Sequence, residues 1–286
     1  MDGEELNNNK EDNQTNTEKV LGSMPSFEEF RKAEELRLEI ESEEQNERPK
    51  YCYHGIGENV MKIGSILENG LVSKKNSAGI ESYSANNIGY NGNNNVSVAI
   101  NIPTGGYNAY RAYIWNGGVS FIIEDDSYVF SKHTRSDSGF ENEAFINGRV
   151  ESAKIKGILI NDQLEHRSLS ELDMIGDGGY MFVAPTALNI IQQLTKDNLQ
   201  FEQLEECKSC IEHFDRISND KTLDYFDKSK KQKELKESIN RYLGSMVNQY
   251  YSKILGKNNP ELIDVVRYHN KENLPILTTS QVPVRH

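Results

Sequence analysis

The chain has 286 residues and carries Lys+Arg 32 against Asp+Glu 44, a formal net charge of −12. That balance makes the chain a poor non-specific binder of nucleic acid or an anionic membrane, which needs clustered Lys and Arg, and leaves only a local basic groove open. Hydrophobic residues make up 36% and the mean hydropathy is −0.69, so part of the chain is expected outside any core. Three Cys cannot build a disulfide framework. No apolar run approaches the roughly 18 residues of a spanning helix, and the N-terminus lacks a signal-peptide core. The expectation is a soluble protein of a reducing compartment.

Residues 1–23 are almost wholly polar and read as a disordered acidic arm. Pro25 and Ser26 open a charged stretch to about residue 48, where Phe27, Phe30, Ala33, Leu36, Leu38 and Ile40 keep helical spacing. It is expected as a surface helix, ended by Pro49. Residues 51–55 form a short aromatic strand, followed by a helix with Val60, Ile63, Ile66 and Leu67 on one face and Gly70 after its end. A polar stretch, 73–95, contains Tyr83 and Tyr90, and 89–95 has the composition of a mobile loop. Residues 96–102, 119–123, 140–145 and 155–160 complete a set of short strands at irregular spacing. That pattern predicts an α+β domain over 49–185 with a mainly antiparallel sheet.

Beyond Pro185 the pattern is helical. Leu188, Ile191 and Leu194 mark one helix, and Phe201, Leu204, Ile211 and Phe214 the next. Leu235, Ile239, Leu243, Met246, Tyr250 and Ile254 mark a long third one. Residues 186–257 are therefore expected as a helical cap or interaction region, and 258–286 as a mostly polar tail with at most one helical turn near 262–266.

Four features can carry chemistry. His54 ends a strand and is followed at once by Gly55, where a ligand can approach the backbone; a half-buried His bonded to a carbonyl explains it as well. Glu141 and Glu143, two apart on a strand, share a face. Paired carboxylates repel unless solvent or a ligand uses them, so either a site or a solvated edge accounts for them. Cys207 and Cys210 lie in a helical segment and, with no second pair, read as buried or half-buried packing residues rather than zinc ligands. A cysteine nucleophile built on Cys52 with His133 or His54 has nothing in the sequence to activate its thiol.

Order and spacing join the first two features. A strand with His54-Gly55 precedes a helix closing on Ile66-Leu67-Glu68-Asn69-Gly70-Leu71. A loop with Tyr83 and Tyr90 and the strand Val96-Ser97-Val98-Ala99 follow, and Glu143 then leads into 150–160. Over roughly 51–162 this resembles the ADP-ribosyltransferase fold, in its diphtheria-toxin/PARP-like branch and the related DarT-type enzymes. Glu141-x-Glu143 also looks like the E-x-E of arginine-directed transferases. Those begin with Arg where this chain has His54, and their Ser-Thr-Ser strand is echoed only by Ser97.

The resemblance implies a split antiparallel β-sandwich binding NAD as substrate in a cleft between two small sheets, with no metal. It implies that His54 bonds a ribose hydroxyl and that the Gly55 backbone anchors the nicotinamide amide, with Ser97 lining the site. Tyr83 or Tyr90 stacks on the ring, Glu143 stabilises the cationic transition state, and Glu141 orients the nucleophile. The expected activity is mono-ADP-ribosyl transfer to a protein, with the acidic balance arguing against a nucleic-acid acceptor. Composition and architecture are compatible with a bacterial effector or toxin, cytoplasmic or delivered into a host cell, whose helical region binds the target. An NAD glycohydrolase of the same fold, or an inactive binding module, remains open at this level.

Overall fold

The computed structural model describes residues 25–43, 46, 48–72, 95–100, 118–130, 143–176 and 180–282, with Glu143 and Met181 described by their backbone alone. The first helix, α1 (Phe27–Ser42), starts where the sequence supplies a reciprocal cap: Ser26 Oγ accepts from the Glu29 amide, and Glu29 returns its carboxylate to the Ser26 amide. Its Ala33, Leu36 and Ile40 are buried. They pack with Tyr51, Tyr53, Ala99, Ile122, Leu159 and Leu277. The expected surface helix is present, and its single apolar stripe docks it on the sheet while the rest of it stays largely exposed.

Nine strands follow among the described residues: β1 (Tyr51–Gly57), β2 (Leu71–Val72), β3 (Asn95–Ile100), β4 (Val119–Glu124), β5 (Val129–Phe130), β6 (Glu143–Asn147), β7 (Arg149–Val150), β8 (Ile155–Ile160) and β9 (Ile276–Thr278). Seven form one sheet in the order β5-β6-β3-β1-β4-β8-β9, and β2 pairs with β7 as a separate ribbon. Pairings among β1 to β8 are antiparallel, but β9 lies parallel to β8. The molecule is thus an α+β protein whose sheet is mainly antiparallel, as the strand pattern predicts, and mixed only through the parallel edge strand β9. The second sheet is a two-stranded ribbon rather than an equal layer of a sandwich. Asn95 belongs to β3 and not to a loop, and the strand expected at 140–145 runs from Glu143 to Asn147.

A 3₁₀ turn, Val60–Lys62, leads into α2 (Ile63–Asn69). Among the described residues four more helices are α3 (Val183–Thr195), α4 (Leu204–Asn219), α5 (Tyr225–Leu255) and α6 (Leu262–His269). They cover the sheet face opposite α1. Val119, Phe121, Ile158 and Ile160 join one apolar cluster with Ile190, Leu194, Phe214, Leu243, Met246 and Val265. Each such side chain contributes about 1.5–3 kcal/mol when fully withdrawn from water. Sheet and helices therefore share a core. Residues 258–286, expected as a polar tail, contain α6 and the edge strand β9, with Leu262, Ile263, Val265, Val266 and Leu277 buried. Among the described residues no helix is long and apolar enough to cross a membrane.

Candidate functional site

The site region lies on the three central strands. β1 pairs with β4 along its whole length, with His54 opposite Phe121 and Gly55 opposite Ser120. On its other side β1 pairs with β3 only at Cys52 and Tyr53, among the described residues. β3 nevertheless continues pairing with β6 from Ala99 to Asn95. The sheet therefore parts just after Tyr53. One lip is His54 and Gly55; the other is β3 from Val98 down to Asn95. His54, Gly55 and Ser97 are half-buried there, while Cys52, Tyr53, Val96 and Val98 beside them are buried.

A bulge follows on β1, where the β4 register shifts between Gly55 and Gly57. Gly57 takes φ +65°, and a side chain on Gly118 would stand 2.4 Å from the Gly57 carbonyl oxygen. Gly57 therefore suits the positive φ, and Gly118 the close approach of the two backbones.

His54 Nδ1 lies 2.8 Å from the carbonyl oxygen of Ser97. A carbonyl only accepts, so Nδ1 carries the proton, and a neutral ring then has its acceptor lone pair at Nε2. The carbonyl-bonded His anticipated as a packing feature is thus present. Glu143 opens β6 opposite Ala99, which in turn opposes Tyr53. Its backbone stands two strands from β1, about 10 Å away, in the row of Tyr53 and one residue out of step with His54. Glu141, Tyr83 and Tyr90 lie outside the described residues. So the structure brings His54, Gly55 and Ser97 together and sets the Glu143 backbone near them.

Phe121 and Ser120, both buried, were not singled out by sequence reasoning. They stand opposite His54 and Gly55, and an alternating strand offers no local signal of which partner it will face. The cysteines are packing residues. Cys52 is fully buried, donates towards the Ile123 carbonyl at 3.7 Å, and burial raises its thiol well above the ordinary value. This opposes any nucleophilic role. Cys207 is fully buried on α4 and pushed up to about 12, chiefly by burial.

Comparison with family models, with curated proteins and with solved structures produced no match to this chain.

Proposed function

We propose that this protein is a mono-ADP-ribosyltransferase that takes NAD as substrate and modifies a protein. The observation that carries the reading is the parting of β1 from β3 directly after Tyr53, with His54-Gly55 on one lip and Ser97 on the other. It supports the finer fold assignment, a sheet split into β5-β6-β3 on one side and β1-β4-β8-β9 on the other. NAD occupies the seam in this reading. His54 Nε2 accepts from a ribose hydroxyl, and the Gly55 main chain, unpaired by β3, meets the nicotinamide amide.

The reaction breaks the bond between C1′ and the nicotinamide nitrogen, whose bonding pair leaves with neutral nicotinamide. Positive charge develops on the ribose, and the carboxylate of Glu143 stabilises it. A nucleophile of the acceptor then donates its lone pair to C1′, and its proton passes to Glu141 or to water. Bacterial origin and action inside a host cell belong to the same proposal and rest on composition and architecture.

Incubation of the full chain with adenylate-labelled NAD, with and without cell lysate, tests the function. Label on a protein supports transfer. Free labelled ADP-ribose without a labelled protein replaces transfer by hydrolysis. Unchanged NAD under all conditions contradicts an enzymatic role.

A further inference from the structure

Two surface patches on this chain combine large exposed apolar side chains with opposite charge. The first is the tip where α4 turns into α5. Tyr225 and Phe226 are 79% and 83% exposed and stack edge to face with ring centroids 5.7 Å apart. Residues 215–233 hold six Lys and Arg against four Asp in a chain of net charge −12. The tip is a built structure: Asp224 caps α5 through the amides of Phe226 and Asp227, Lys228 reaches the Ser218 carbonyl, and Gln232 Nε2 donates to Ser218 Oγ at 2.9 Å.

The second patch is the outer side of α1. Phe27, Phe30 and Leu38 are 82%, 57% and 50% exposed, on the side turned away from the buried Ala33, Leu36 and Ile40. Residues 27–42 hold six Glu against three Lys and Arg. The two patches cannot cover each other within one molecule. α1 packs on the sheet face of Tyr53, Ile122 and Leu159, whereas α4 and α5 pack on the face of Phe121, Ile158 and Ile160.

We infer that a second copy of this chain covers them, the basic aromatic tip of one molecule seating on the acidic apolar stripe of α1 of the next. Exposed aromatics of this kind act as anchors when they fill a partner's apolar surface, and opposite charge around them sets orientation. Both patches on each molecule are used, so the contact closes as a reciprocal dimer or ring or runs on as a head-to-tail chain.

Sedimentation velocity on the full chain across concentration and salt tests this. Wild type is expected to self-associate in a concentration-dependent way that weakens as salt rises. Y225S/F226S and F27S/F30S, which change only exposed positions, should each weaken self-association roughly tenfold or more while keeping the wild-type melting curve. Mixed together they should form a one-to-one dimer, because one supplies an intact tip and the other an intact α1. A wild-type chain that stays monomeric at every concentration overturns the inference. So does a mixture that fails to associate, or a wild-type self-association that neither double variant weakens.

Discussion

The imidazole of His54 donates through Nδ1 to the carbonyl oxygen of Ser97 at 2.8 Å, across the place where two central strands stop pairing. The bond holds the ring in a single orientation and fixes which nitrogen carries the proton. A long-range ¹⁵N–¹H spectrum of the histidine rings should therefore show His54 as the Nδ1–H tautomer near neutral pH. The opposite tautomer would contradict the bond from Nδ1 to the Ser97 carbonyl.

Glu143→Gln separates binding from chemistry. The amide is nearly isosteric but cannot balance a developing cation, so turnover should fall by about 10²–10³ while NAD affinity changes only a few-fold. Steady-state kinetics beside calorimetry reads both quantities. A large loss of affinity with turnover retained would assign Glu143 to substrate binding and leave the catalytic carboxylate elsewhere.

α1 is part of the core, so its apolar stripe should matter to stability. Leu36 is 6% exposed and its Cδ2 reaches the space above Gly157 on β8. Leu36→Ala should cost about 2–5 kcal/mol, read as a lower midpoint in urea with unchanged slope. Removal of residues 1–48 should go further, exposing Tyr51, Tyr53 and Leu159 to water. A truncated chain as stable as wild type would show that α1 contributes nothing to the fold.

Asp125, at the end of β4, is buried and accepts from Lys154 Nζ at 2.6 Å and from the amide and hydroxyl of Ser127 at 2.8 and 2.6 Å. Burial pushes its carboxyl up. The hydrogen bonds from Lys154 and Ser127, with the Lys154 charge, outweigh that and hold it below the ordinary value of 3.8. The unfolded chain therefore binds the proton first. The stability the pair supplies is fully present above about pH 4 and is lost as pH falls through the lower folded-state value. Asp125→Asn should lower the melting temperature at neutral pH and flatten its decline in acid. An equally steep acid decline in the variant would place the titrating carboxylates elsewhere.

How much of this was legible in the sequence depended on the range of the interaction. The spacing of Ala33, Leu36 and Ile40 marked a helix, but the same spacing serves a surface helix and a core helix. What the stripe meets, Tyr53 on β1 and Leu277 on β9, is fixed by the fold and not by the segment. β9 spans only Ile276–Thr278, too short for any period to register, and it hid within a stretch that looked like a tail. The Leu235-to-Ile254 pattern was long enough to place α5 securely, although Ile254 is 37% exposed. At the candidate site, His54 and Gly55 were expected to end their strand, but β1 runs on to Gly57. The partner of His54 is a main-chain carbonyl of Ser97, and no side-chain pattern records a carbonyl. The end of the β1–β3 ladder likewise leaves no trace in composition, because it is a relationship between two segments over forty residues apart.

The central claim is that the seam after Tyr53 receives NAD through His54. Its most direct test is calorimetric titration of NAD into the full chain beside His54→Ala, each checked by its melting curve. Saturable binding at one site in wild type, weakened about tenfold or more in the variant by loss of a hydrogen bond to a buried ribose, is the predicted result. No binding by a folded wild-type chain, or equal affinity in both, would contradict it.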